Sequence, residues 1–354
     1  MKILQLAGGL LGGSLLVLAV ACGAPSRPTS PAAPAAGGRP PTGAAAGAAP
    51  SAPAASAVPR AVQQVRITVP TKSITFLPFY FGQDKGIYRE EGLDLELVQM
   101  RPPLGISALE AGDVAYSAAP GVGMRAAIQG AAIRAIMFVQ DRPSFTLVGQ
   151  PGVTPEQIKT VAVSGLGSTA HYAALNVMRK LGRGGPDDAT YFASNDTAKS
   201  YQALQGKTAE AAILSPPYTT MATLAGFTHL GDAFDMVDVQ GGLVTTTRHL
   251  ADEPAEVKAL LRGTLRALQY IAAHEAELVA YMEREFELEH GVAAGSYAIV
   301  KQVLDMTGDM DEAALRSVVE QMKQDAEIPA DVPLDRVADL RLLREAQAEL
   351  GIGR

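Results

Sequence analysis

The stretch VRITVPTKSITFLPFYFGQDKGIYREEGLDLELV, residues 65–98, decides the fold. Val65-Arg66-Ile67-Thr68-Val69 reads as a strand, and Pro70 to Thr75 as the loop that ends it. Phe76 to Glu91 has the period of a helix, which Gly92 stops, and Leu93 to Val98 alternates apolar and polar residues as a strand does. Strand, helix and strand at this spacing predict a parallel sheet flanked by helices, the α/β class.

The same rhythm continues outward. Leu104 to Ala111 is a short helix and Val114 to Ser117 a strand; Pro120 opens a helix that runs to Gly130, and Ile133 to Val139 is a buried strand. After Gln150 it restarts. Thr154 caps a short helix with Pro155 in its first turn. Strands are predicted at Thr160–Val163, Ala189–Phe192, Glu210–Leu214 and Gly241–Thr246, with helices at Ser168–Leu181, Asp196–Gln205 and Pro217–Ala225. From Pro254 onward the chain is helical: Ala255–Glu287, Ala293–Met306, Asp311–Gln324 and Leu334–Glu349. Two α/β units therefore follow one another, then a return segment and a helical tail. Two open sheets facing each other put strand-end loops and helix N-termini on both sides of a cleft, where α/β folds bind small ligands.

The N-terminus is of another kind. Lys2 precedes an apolar run, Ile3 to Val20, and Ala19-Val20-Ala21-Cys22 reads as a bacterial lipoprotein cleavage site, with residues 1–21 as signal peptide. Cys22 is the one cysteine of 354 residues, so it forms no disulfide within the chain, whereas a lipid anchor accounts for it. Ordinary secretion with an incidental thiol is the plainer alternative. Gly23 to Arg60 holds nine prolines and neither an aromatic nor an acidic residue. Such a segment has nothing to bury and reads as a disordered tether, reaching at most on the order of 100 Å.

The remaining 294 residues, Ala61 to Arg354, suffice for two lobes with proper cores. The net charge of −7 becomes −8 once Lys2 is removed, and no basic cluster suits nucleic acid. No further run of about 18 apolar residues occurs in the body. The five histidines, His171, His229, His249, His274 and His290, show no metal-ligand spacing, and no cofactor or metal is expected.

Phe79-Tyr80-Phe81-Gly82-Gln83-Asp84-Lys85-Gly86-Ile87-Tyr88-Arg89-Glu90-Glu91-Gly92-Leu93-Asp94-Leu95-Glu96 resembles the first helix and second strand of ABC-importer solute-binding proteins of the nitrate/sulfonate/taurine and thiamine-precursor (NMT1/THI5-like) group. Ala108 to Val114, Ser164 to Tyr172, Ala203 to Ala212 and Ser215-Pro216-Pro217-Tyr218 resemble later segments of that group, in order. The resemblance implies a periplasmic-binding-protein fold of type II with a helical C-terminal tail. Lobe 1 would comprise 61–145 and 240–354 and lobe 2 would comprise 146–239, with crossings near Pro143 to Gly149 and Val237 to Leu243. It also implies lobe closure on a small organic solute, anionic or aromatic, and delivery to an ABC permease with its ATPase. A lipid-anchored bacterial monomer in the periplasm or on the outer face of the cell membrane is expected. Two departures leave the solute open: the Trp that many taurine- and nitrate-type relatives carry near Ser215 is absent, and so is the cysteine-rich motif of the thiamine-precursor synthases.

Candidate ligand contacts follow from the cleft. Ser164 and the small residues up to Gly167, Ser168 and Thr169 precede a helix, whose exposed N–H groups and dipole favour an anion; a helix that merely caps itself is the alternative. Pro120 and Gly121 are the matching position in the first unit. Lys72 and Arg142 sit in strand-end loops as candidate counter-charges, Arg142 beside a neutralising Asp141, or as solvated surface charge. Phe76 and Tyr218 are candidate aromatic contacts, whereas Phe79 and Tyr80 fit a core. Thr71, Leu104, Asn195 and Ser215 complete the set. Ser168 and His171, one turn apart, leave a cleft enzyme as a second class, and a sensor or scavenger lipoprotein without a transporter is a third.

Overall fold

The computed structural model describes residues 62–140, 142–236, 239–328 and 331–353. The predicted signal peptide, Cys22 and the tether lie outside the described residues, as does Asp141.

In β1 (Gln63–Val69), Val65, Ile67 and Val69 are buried while Arg66 between them is exposed, so one face of the strand seats the core. The predicted single helix over 76–91 is two: α1 (Leu77–Asp84) and α2 (Ile87–Glu90). Gly86 separates them at φ 81°, a left-handed conformation that glycine adopts without Cβ strain. β2 (Leu93–Gln99) pairs parallel with β1, and α3 (Pro102–Ala111), β3 (Tyr116–Ser117), α4 (Pro120–Ile128) and β4 (Ile133–Gln140) follow. Seven of the eight β4 residues are buried, because helices cover both faces of the sheet.

The chain then crosses to a second sheet. β5 (Thr146–Gly149), β6 (Thr160–Val163), α5 (Thr169–Lys180), β7 (Thr190–Ala193), α6 (Thr197–Gln205), β8 (Ala211–Leu214), α7 (Tyr218–Leu224) and β9 (Thr228–Asp232) form that lobe. The return strand β10 (Gly241–Thr246) leads into α8 (Thr247–Asp252), α9 (Pro254–Ala273), α10 (Glu275–Glu285), α11 (His290–Val303), α12 (Glu312–Asp325) and α13 (Arg341–Leu350). The predicted helix over 255–287 breaks at His274, whose backbone leaves helical space at φ −126°, ψ 55° and whose ring stacks on Tyr270 at 3.8 Å.

Strand order is β2-β1-β3-β10-β4 in the first sheet and β7-β6-β8-β5-β9 in the second. Neither sheet is purely parallel, contrary to the expectation from the strand–helix–strand rhythm. β10 runs antiparallel between β3 and β4, and β5 antiparallel between β8 and β9. Both are strands entered directly from the other lobe, without the crossover helix that would return the chain parallel. The crossings are the short links from Gln140 to Thr146 and from Asp232 to Gly241. Thr146–Gly149, expected within a crossing, is already sheet.

Each lobe has its own core. In the second lobe Val161 and Val163 pack with α5 on one face of the sheet, and Ala162 packs with Tyr201 and Leu204 of α6 on the other. Among the described residues no helix is long and apolar enough to cross a membrane.

Candidate functional site

The loops at the C-terminal ends of β1, β3, β6, β7 and β8 converge between the lobes, where α/β sheets place their ligands. They border a small cleft with a cavity volume of about 70 Å³. Pro70, Thr71, Ser73, Thr75, Phe76, Pro102, Ala119, Gly121 and Val122 line it from the first lobe. Ser164, Ser168, Thr169, Ala170, Asn195, Asp196, Thr197 and Ser215 line it from the second, and Phe145 and Gln240 from the crossings.

Eight of the expected contacts meet here: Thr71, Phe76, Gly121, Ser164, Ser168, Thr169, Asn195 and Ser215. Six do not line the cavity. Lys72 is exposed and its ammonium sits 5.3 Å over the Phe286 ring, drawn to an aromatic face. Arg142 is exposed on the first crossing. Leu104 is 49% exposed on α3. Pro120 is buried as the first residue of α4, behind Gly121. Tyr218 is half-buried against Tyr201, ring centroids 5.9 Å apart, and burial raises its pKa, with the Asp196 charge second. Gly167 is exposed, and its N–H donates to His171 Nδ1 at 3.1 Å rather than facing a ligand.

Local capping explains much of the rest. Ser168 caps α5 by accepting from His171 N, and its hydroxyl donates to Gly165 O at 2.7 Å. That hydroxyl proton is directed at a backbone carbonyl, not at the His171 ring, so the pair does not form a nucleophile and base in this geometry. Burial first, and Arg125 second, lower the His171 pKa. Asp196 caps α6 by accepting from Lys199 N at 2.8 Å.

A helix leaves its first N–H groups without internal partners. Gly121 and Val122 of α4, Thr169 and Ala170 of α5, and Thr197 of α6 all line the cavity, and among the described residues none of these five N–H groups meets an acceptor. The buried Ser73 and Ser215 add hydroxyls to the same wall. Among the described residues no Lys, Arg or His lines the cavity, and Asp196 is the one charged lining residue. The site is therefore rich in neutral donors, backed by three helix dipoles. Phe76 and Phe145 supply apolar faces.

The floor is tied across the crossings. Gln240 accepts through Oε1 from Ser144 N at 2.5 Å and from Ser144 Oγ at 2.9 Å, and its amide donates to Thr75 Oγ1 at 3.3 Å. Thr169 Oγ1 donates to Val239 O at 3.2 Å. Sequence reasoning missed Gln240 and Phe145, since nothing local marks a residue whose partner lies 96 positions away. It also missed Asp196 and Thr197 as lining residues, although the helix start there was a usable signal. Among the described residues no group of three or more His, Cys, Asp or Glu is placed to hold a metal ion.

Solved structures share this architecture. A ligand-binding component of an ABC-type import system from Staphylococcus aureus, with zinc bound, matches with TM-score 0.67 at 16% identity, covering 80% of this chain and 99% of that one. The alkanesulfonate-binding protein SsuA from Xanthomonas axonopodis pv. citri, bound to MOPS, gives 0.63 at 15% identity, covering 80% and 97%. The periplasmic nitrate-binding protein NrtA from Synechocystis PCC 6803 gives 0.65 at 13%, covering 82% and 90%. These likenesses establish the two-lobed periplasmic-binding-protein fold. No curated protein matches the chain in sequence. The family model described as NMT1/THI5 like matches residues 73–278, more than half of the chain, and the protein belongs to that family.

Proposed function

We propose that this protein is the solute-binding component of an ABC-type importer, lipid-anchored through Cys22 on the outer face of a membrane. Residues 1–21 act as its signal peptide and residues 22–60 as its tether. Open lobes admit a small organic solute, and contacts from both lobes hold it once they close; the closed form is what the permease with its ATPase engages. Capture is then a population shift driven by the solute's greater affinity for the closed state.

The observation that carries this reading is the interlobe cavity lined by five helix-start residues whose N–H groups meet no acceptor among the described residues. Such a wall fits a solute that presents acceptor oxygens, as a carboxylate, sulfonate or carbonyl does, with an apolar part against Phe76 and Phe145. The lining residues named above are its proposed contacts. Tyr218 supports the wall from behind, through Tyr201. The solved relatives named for an import system, alkanesulfonate and nitrate agree with a transport role.

Native mass spectrometry of the full chain, purified without refolding, is expected to show a bound small molecule that Thr71→Trp, a cavity-filling change in a loop, expels while melting stays cooperative. A solute that persists in Thr71→Trp would remove the cavity from the proposal. Palmitate labelling that survives Cys22→Ser would remove the anchor.

A further inference from the structure

At the mouth of the cavity the side chains of Arg101 on the first lobe and Asn195 on the second touch, and Asn195 also lines the cavity wall. Arg101, the N-cap residue of α3, donates from Nη1 to Oδ1 of Asn195, between β7 and α6, at 3.3 Å. Immediately outside lies an open recess that shares Pro70, Asn195 and Asp196 with the cavity wall, so this pair stands between the cavity and solvent.

Asn195 is held there by its backbone. Its φ is 90°, a region that side-chain-bearing residues rarely occupy and that Asn and Asp tolerate best. Ser194 before it donates to Val163 O through both N, at 2.8 Å, and Oγ, at 3.0 Å. Asp196 after it is fixed as the cap of α6. A sparsely populated backbone state that both neighbours enforce is a feature of ligand clamps and switch segments. Here it presents a carboxamide to the opposite lobe.

We propose that Arg101 and Asn195 form a latch across the exit of the cavity, which biases the lobes toward closure and slows solute escape. The part about escape rests on the solute-binding reading; the bias toward closure does not. A single exposed hydrogen bond from a guanidinium supports a change of about two- to tenfold in the closed-to-open ratio. The pair is a positioning device and its effect on closure is independent of which solute is carried.

The test uses the full chain with Cys22→Ser and spin labels at Leu104→Cys and Leu166→Cys, one exposed residue on each lobe at 49% and 54% exposure. Interlobe distances are measured without added solute. Arg101→Gln and Asn195→Gly are expected to shift the distribution toward longer distances. Asn195→Gly also relieves the left-handed backbone, so melting holds or rises. Asn195→Asp, which turns the hydrogen bond into an ion pair, is expected to shorten the distances, and added salt to reverse that gain. Unchanged distributions in Arg101→Gln and Asn195→Gly, or a shift of Asn195→Asp in the same direction as Arg101→Gln, would overturn the latch. A solute found by mass spectrometry would still stand in that event, so the two ideas fail separately.

Discussion

At Gly121 a single methyl group would meet the opposite lobe. This glycine is the second residue of α4, and a Cβ there would lie 2.7 Å from Thr169 Oγ1 on the other lobe and 3.0 Å from Val239 O. Ordinary van der Waals contact begins at 3.4 Å, so the approach is too close by about 0.7 Å and 0.4 Å. Thr169 rotates away only by giving up its bond to Val239 O, and Val239 O is backbone. Overpacking of this kind costs about 1–3 kcal/mol, and the least expensive relief is to part the two helix N-termini. Because those termini belong to different lobes, Gly121→Ala is expected to lower the closed-to-open ratio about 5- to 150-fold. The first lobe itself does not suffer: alanine in place of glycine at a helical position stabilises by about 0.4–1 kcal/mol through the unfolded chain. The assay is the interlobe distance of the Leu104/Leu166 label pair beside the melting temperature. Thr169→Ala, added to Gly121→Ala, removes the nearer clash and is expected to recover part of the closure. Unaltered distances in Gly121→Ala, or a fall in melting temperature that tracks the opening, would refute this account.

The base of the first sheet carries a second prediction. Glu256 is 7% exposed and accepts from Tyr116 OH at 2.8 Å, His249 Nε2 at 3.1 Å and Gln63 Nε2. Glu256→Ala removes the carboxylate that Tyr116, His249 and Gln63 share, and urea denaturation is expected to show a loss of about 2–5 kcal/mol with bound solute unchanged in mass spectra. Neutral His171 accepts from Gly167 N–H, and its pKa lies below the ordinary 6.5, so the unfolded chain binds the proton more readily. This contribution to stability is complete above about pH 6.5 and is lost as pH falls toward the lowered folded value. Melting temperature between pH 7.5 and 5 should therefore decline less in His171→Gln, and identical profiles would contradict it. Gly242→Ala would set a Cβ 2.2 Å from Met137 O inside the sheet, and a loss of about 3 kcal/mol or more is expected by urea titration.

What the sequence disclosed and what it hid divide along the range of the interactions. The helix start at Pro120 rests on proline's fixed φ at the first helical position and those at Ser168 and Asp196 on capping within three residues, and the structure begins helices there. Strand identity at β1, β2 and β6 rests on local alternation or β-branched runs, and it too was legible. The direction of β5 and β10 was not, because antiparallel pairing there depends on the chain returning from another lobe. Nor was the split at Gly86, where one left-handed glycine interrupts an otherwise continuous helical period. β9 and α8 are short elements without a strong period, so no local pattern marks them.

The charged candidates failed to reach the cavity for a further physical reason. Lys72 and Arg142 were chosen for their position in strand-end loops, but a long side chain is placed by whatever it meets. For Lys72 that is Phe286, more than two hundred residues along the chain. The backbone of a helix start has no such freedom: its first N–H groups point along the axis whatever the side chains do. A wall built from the starts of α4, α5 and α6 is thus set by the fold itself, and its residues are small because larger ones would fill the space they enclose. On the proposed function, selection among solutes then follows shape and the number of acceptor atoms more than net charge. Such binding would weaken little with added salt, since desolvated dipoles are screened far less than exposed ions.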